Sequence, residues 1–243
     1  MDKSVSKEII DKAKRGEWKI SVTSKKSIPK DWFPPFQGLK VLCLASGGGQ
    51  QGPVIAALGA DVTVVDISEK QLEQDIYVAN RDNLNIKTVK LGMSDLSIFA
   101  DESFDLIVHP VSNLFVEDIS PVWKEAFRVL KYGGTLIAGF ANPILYLFDD
   151  EQEEEEGILQ AKYSIPYSPL SALSKEKLNE CLEAGQTLEF GHSLEQQIGG
   201  QIEAGFVITG FYEDDFGGDR LIDKYIKSFI ATKSTKMKII PLI

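Results

Sequence analysis

A glycine-rich hexapeptide, GGGQQG at residues 47–52, satisfies the pattern GxGxxG, and Asp66 lies 19 residues beyond Gly47. Glycines at that spacing let a backbone turn tightly and approach a ligand closely, while a carboxylate so placed can accept both hydroxyl hydrogens of a ribose. The chemistry indicated is retention of a nucleoside-containing cofactor. The pattern does not by itself choose which one.

Other side chains with chemical potential are few. His109 closes the apolar run FDLIVH and is the best-placed proton acceptor; its alternative role is that of a hydrogen-bonding residue that shapes a loop. His192, in EFGHSLEQQIGGQ, either faces a pocket with Gln196 and Gln197 or simply precedes a helix capped by Ser193. Cys43 and Cys181 have neither CxxC nor Cys/His spacing, so no disulfide framework and no metal site is expected. Cys43 sits in an apolar run and reads as core. Trp18, Trp32, Phe33, Tyr146, Tyr163 and Tyr167 could line a site for a flat or cationic ligand, or pack together.

The elements that must carry these residues alternate regularly. After a short polar helix at 5–15 come apolar strands at 40–44, 61–66, 86–91, 104–109 and 135–140, with helices after the first, second and fourth. The glycine loop opens the first of these helices, with Pro53 tolerated in its first turn, and Ser68 caps the second. The third, PVWKEAFRVL at 121–130, is expected to be closed by Gly133 and Gly134. Connections this long imply right-handed crossovers and helices on both faces of a parallel sheet. Function then belongs at the carboxyl ends of the strands. Beyond residue 140 the pattern loosens. DDEQEEEE at 149–156 puts seven acidic residues into eight positions and reads as a solvated, mobile loop, with a lid over the site as the alternative. Two more apolar runs, 206–212 and 228–233, complete the sheet edge as an antiparallel pair. The expected fold is therefore α/β, a doubly wound, Rossmann-like sheet of seven strands, mostly parallel with an antiparallel carboxyl-terminal edge.

Composition narrows the function classes. The chain has 243 residues, 26 basic against 36 acidic side chains and a net charge of −10, which argues against a nucleic-acid partner. Residues 1–30 run the other way, with nine basic and four acidic side chains, so a local basic patch could meet an acidic substrate or serve solubility. No apolar run approaches the roughly 18 residues needed to cross a bilayer. MDKSVSKEIIDKAKRGEWK carries charge where an export signal carries its apolar stretch, so a cytoplasmic location is expected.

Nicotinamide enzymes and enzymes using S-adenosylmethionine (SAM) share this half-sheet. About 39 residues with two tryptophans precede the first strand, which is unlike most dehydrogenases, and RVLKYGGTLIAG at 128–139 supplies a glycine turn before the fifth. With VLCLASGGG as its first loop, the chain resembles the class I SAM-dependent methyltransferases. It is similar above all to an uncharacterised bacterial subgroup sharing LASGGGQQ, VTVVDIS, PVSN, RVLK-x-GG and QIGGQ, over roughly residues 16–233.

Carried over residue by residue, the resemblance implies that Ala45, Ser46, Gly47 and Gly49 surround the methionine portion and ribose of SAM, with Gln50 and Gln51 at its amino-acid end. Asp66 would hold the ribose hydroxyls, with Ile67 against the adenine face and Met93, Ser94 and Asp95 along the adenine edge. His109, Pro110 and Val111 would lie beside the reactive methyl group, His109 as the candidate base. Cys43 and Gly92 replace acidic residues common in the wider family. The implied organisation is one methyltransferase domain over 1–243, with 1–38 as an amino-terminal cover and 143–190 as an insertion forming the substrate side. The implied partner is a small-molecule methyl acceptor. A nicotinamide-dependent oxidoreductase and a SAM-binding regulatory protein without transfer activity are the alternative readings.

Overall fold

The computed structural model describes residues 4–238. Helix α1 (Lys7–Lys14) is capped by Ser6, whose Oγ accepts the Ile9 N–H. Strand β1 (Lys40–Leu44) follows a long amino-terminal segment, then α2 (Gln51–Ala57), β2 (Asp61–Asp66), α3 (Glu69–Asp82) and β3 (Ile86–Lys90). Ser68 caps α3 by accepting the Gln71 N–H, and Asn83 ends it in the left-handed conformation. Next come β4 (Phe104–His109), α4 (Ser120–Val129) and β5 (Leu130–Ala141). Three helices, α5 (Asp150–Glu156), α6 (Pro169–Ala172) and α7 (Lys175–Glu183), occupy the insertion. A π turn at Glu195–Gly199 runs into α8 (Gly200–Glu203), and β6 (Phe206–Asp214) and β7 (Phe229–Lys236) close the chain.

The strand order is β3-β2-β1-β4-β5-β7-β6, parallel from β3 through β5 and antiparallel at β5–β7 and β7–β6. The seven-stranded, mostly parallel sheet with an antiparallel edge is the fold expected from the sequence. Strand order reverses at β1, which has β2 on one side and β4 on the other, so a crevice forms at the carboxyl ends of these strands.

Alternation along β1 divides the interior. Val41 and Cys43 join a core that includes Val62, Val64, Ile55 and Leu72 on one face, whereas Leu42 and Leu44 join Trp123, Val122 and Leu136 on the other. The amino-terminal segment belongs to the first core. Trp18 meets Phe33 and Phe36 edge-on at 5.2 and 5.3 Å, and Trp32 packs on Tyr212 at 5.4 Å. The segment presses directly on β5: a Cβ at Gly139 would lie 2.0 Å from the Val22 carbonyl oxygen. The tryptophans thus pack, and among the described residues the segment lines the crevice with residues 21–24.

Two local expectations need correction. α4 is not closed by Gly133 and Gly134; strand pairing resumes at Leu130 opposite Phe104, and the glycines form a bulge before Leu106 pairs with Thr135. Gly133 has φ +83°, and a Cβ at Gly134 would sit 2.9 Å from the Asp105 carbonyl, so both are conditions of the bulge. The acidic run is the helix α5 rather than a loop. Its Glu153 is buried, paired with Arg220, and 3.3 Å from the Ile222 N–H that it accepts. A carboxylate that finds a cation and an amide can be buried within an otherwise solvated run. Among the described residues, no helix is long and apolar enough to cross a membrane.

Candidate active site

The loop after β1 is shaped by its backbone. Ala45 adopts φ +46°, and Gly48 and Gly49 adopt +120° and +67°. Left-handed geometry is costly for Ala45, so the loop must be held by contacts outside itself. Asp66 at the end of β2 supplies one: its Oδ2 accepts the Gly47 N–H at 2.9 Å and its Oδ1 the Ser68 N–H at 2.8 Å. A Cβ at residue 47 would lie 2.8 Å from the Gln71 Cβ and 2.9 Å from the Asp66 Oδ2, so only glycine permits this approach.

Asp75 supplies the second anchor. Its Oδ2 accepts the N–H groups of Gly48 and Gly49 at 3.0 and 3.1 Å, while its buried Oδ1 has no hydrogen-bond partner. Burial is the main reason its pKa rises to about 7. Cys43, beneath the same loop, is fully buried, and its thiol is pushed up by burial and by the Asp75 charge, which leaves it core rather than nucleophile. Asp75 did not stand out in the motif, yet a signal existed. The inward stripe of α3 reads Leu72, Asp75, Val78, Asp82, and a carboxylate in an apolar stripe is an anomaly of the kind that marks a site.

Asp66 and the glycine loop border a cavity of about 1,060 Å³ at the crevice, with Asp75 buried behind the loop. Of the residues named from the sequence, Ala45, Ser46, Gly47, Gln50, Asp66, Ile67, Met93, Ser94 and Pro110 line it, as do Gln51 and Val111. Ile67 is 73% exposed, an apolar side chain left uncovered beside Asp66. Gln51 ties the loop to the amino-terminal segment, donating from Nε2 to the Ser21 carbonyl at 3.0 Å and accepting from Ser46 Oγ at 3.2 Å. Ser68 and Gln71 from the start of α3, and Phe115 and Thr187, also line the cavity and carried no motif.

Three predicted residues lie elsewhere. Gly49 packs away from the cavity, where a Cβ would strike Ser4 and the Gln74 backbone, so its role is to seat the loop on α3. Asp95 is exposed and accepts the Ser97 N–H at 3.0 Å, and the Ser97 hydroxyl together with that amide lowers its pKa. His109 is wholly buried and does not border the cavity. Its Nδ1 lies 2.9 Å from the Leu44 carbonyl and its Nε2 2.7 Å from the Asn113 amide. Burial lowers its pKa, and the Asn113 side chain that meets Nε2 through its Oδ1 donates from Nδ2 to Gln197 Oε1 at 2.8 Å. Asn113 in turn meets Gln197, whose carbonyl accepts the Gln201 amide at 3.0 Å. Gln201 Oε1 then accepts from Ser234 and Thr232 of β7. The PVSN and QIGGQ motifs thus form one buried polar chain from the end of β1 to the sheet edge.

His192 is also taken up structurally, its Nε2 donating to the Asn113 and Val116 carbonyls at 3.0 and 2.9 Å, and burial lowers its pKa. Gly200 of QIGGQ lets α8 approach Trp123, whose ring a Cβ would meet at 2.7 Å.

A second cavity, of about 960 Å³, lies within the insertion and shares Phe115 and Thr187 with the first. Tyr146, Tyr163 and Tyr167 line it, so the tyrosines of the insertion do gather at one place.

Comparison with known proteins agrees with this geometry. Residues 42–138 match the family model described as a methyltransferase domain. The chain is 60% identical over 234 residues to the uncharacterised methyltransferase YbaJ of Bacillus subtilis, covering 96% of this chain and 91% of that one. A ubiquinone biosynthesis O-methyltransferase of Pelagibacter ubique is 27% identical over 145 residues, 59% of this chain and 56% of its own length. The fold is also that of a SAM-dependent methyltransferase of Mesorhizobium loti, with a TM-score of 0.64, 17% identity, and coverage of 85% of this chain and 94% of that one. With the glycine loop, the carboxylate at the end of β2 and a near-full-length relative in agreement, the chain belongs to the methyltransferase family.

Proposed function

We propose that the chain transfers a methyl group from SAM to a small molecule, and that the cavity at the ends of β1, β2 and β4 holds the donor. The observation that carries this reading is the convergence on one cavity of a glycine loop, the Asp66 carboxylate and the uncovered Ile67 side chain. A nucleoside needs all three: close backbone approach, an acceptor for two hydroxyls and an apolar surface for the base. Asp66 retains lone pairs for the ribose while it holds Gly47 and Ser68. Met93 and Ser94 border the base, Ser46 and Gln50 the amino-acid end, and Pro110 and Val111 the reacting end.

Bound there, SAM would supply a methyl group already activated by its sulfonium charge for in-line displacement by the acceptor. The residues of this chain need only align the acceptor and exclude water. Neither histidine borders either cavity, so the acceptor atom must offer its lone pair without help from imidazole. His109 acts as a positioning residue, fixing the Leu44 carbonyl just before the strained Ala45. The setting we assign is the cytoplasm, with no nucleic-acid partner.

Calorimetric titration with S-adenosylhomocysteine tests the donor site. Asp66→Ala removes two charge-assisted contacts to the ligand and should weaken binding at least about tenfold. Unchanged affinity in the variant would refute the assignment of Asp66.

A further inference from the structure

The cavity inside the insertion has a wall built from rings. Tyr146 and Tyr167 stack with centroids 5.7 Å apart and planes 22° apart, and Tyr163 meets Tyr167 edge-on at 5.2 Å. The backbone makes room for this arrangement: Tyr167 bridges Gly191, and a Cβ at residue 191 would lie 2.5 to 2.8 Å from Tyr146 atoms. A glycine that brings an aromatic face against the main chain is a constructed feature, and the wall it supports borders about 960 Å³. That volume is of the order of a single small-molecule site.

Charges in the wall cancel. Lys162 pairs with Asp149 and stands over the Tyr163 ring at 5.2 Å, and Lys177 and Glu189 contribute one charge of each sign. A charged ligand would lose hydration there without meeting a net opposite charge. A flexible aliphatic ligand would gain burial but none of the stacking or edge-on geometry that aromatic faces reward. Phe115 and Thr187, common to both cavities, mark where the chamber adjoins the donor site.

We propose that this tyrosine chamber is the acceptor site and that the acceptor is an uncharged planar aromatic or heteroaromatic ring, which presents its nucleophilic atom at the border marked by Phe115 and Thr187. The proposal rests on the methyltransferase reading above, since only that reading makes the second cavity an acceptor site.

The test is calorimetric titration of the full chain with 2-naphthol and with decahydro-2-naphthol, a saturated control of similar size, with and without S-adenosylhomocysteine. The flat ring is expected to bind about tenfold more tightly than the saturated one. Tyr167→Leu and Gly191→Ala should each weaken 2-naphthol about fivefold while leaving S-adenosylhomocysteine within about twofold, which also shows that the variants fold. Leu173→Trp, which fills the chamber from a different wall, should have the same pattern. Equal affinity for the two probes, or 2-naphthol binding indifferent to all three substitutions, overturns the proposal. Failure of the parent to bind S-adenosylhomocysteine would instead refute the donor reading, and the comparison of the two naphthols would still decide whether the chamber takes flat rings.

Discussion

Asp75→Asn isolates the buried carboxylate that seats the glycine loop. In the native chain its pKa is raised from 3.8 to about 7, chiefly by burial and further by the Asp66 charge, against the lowering effect of the Gly48 and Gly49 amides. A carboxyl group whose folded pKa exceeds its unfolded value favours folding most at low pH, where both states hold the proton. The benefit declines as pH rises and is gone above the folded pKa. Each unit of separation corresponds to about 1.4 kcal/mol, so between pH 5 and pH 8 the native chain should lose about 2.5 kcal/mol from this group alone. Asparagine keeps an acceptor for the two glycine amides and cannot titrate.

Raw stability curves would mislead, because the histidines act in the opposite sense. His109 and His192 have pKa values lowered by burial, so they add stability above the unfolded histidine pKa and lose it as pH falls. The informative quantity is the difference between parent and Asp75→Asn, in which the histidine contributions cancel. Urea unfolding at several pH values between 5 and 8 measures it. The variant should gain on the parent by about 2.5 kcal/mol across that range, most of it below pH 7. A constant difference would show that Asp75 is ionised throughout, and the account of the loop as resting on a largely protonated carboxyl group at mildly acidic pH would fail.

Other perturbations probe the remaining contacts. His109→Gln should lower stability by about 2 kcal/mol through the broken chain to Leu44 and Asn113, yet leave kcat within about threefold; a 100-fold loss of kcat with SAM affinity intact would return the ring to the role of base. Gly139→Ala forces a methyl group into the Val22 carbonyl and should cost about 3 kcal/mol in denaturant unfolding, an effect that would be absent if the amino-terminal segment did not lie on β5. Gly92→Asp meets open space at a backbone angle any residue adopts, so it should tighten SAM about fivefold by offering the adenine amino group an acceptor. A SAM analogue lacking that amino group should show no gain.

The glycine loop and its carboxylate were legible because their requirements fall on the backbone. A turn that must admit a close approach demands glycine at Gly47, and a parallel strand that ends at the crevice places Asp66 where it is useful, so both leave a trace in spacing. Asp95 and Gly49 do not line the cavity, for the complementary reason. Each satisfies the same local pattern as its neighbours, but Asp95 turns to cap Ser97 and Gly49 turns to meet α3, choices made by single side-chain and peptide orientations. The acidic run failed similarly. Seven like charges forecast solvation, and the ion pair of Glu153 with Arg220, 67 residues away in sequence, could be found only in three dimensions.

His109 shows why position along a strand is a weaker guide than its neighbours. The residue does end β4 at the crevice, as a base would, but the ring faces back under the sheet toward Leu44. What decides its orientation is the polar chain Asn113–Gln197–Gln201, which needs a partner at its near end and ends at Ser234 and Thr232 on β7. A half-satisfied buried network costs more than an apolar core, so this chain holds only if each member stays in place. The glycine loop and the antiparallel edge, at opposite ends of it, are therefore coupled in stability: loosening β7 at Ser234 should be felt at Ala45, whose left-handed backbone stores the strain that the network helps to hold.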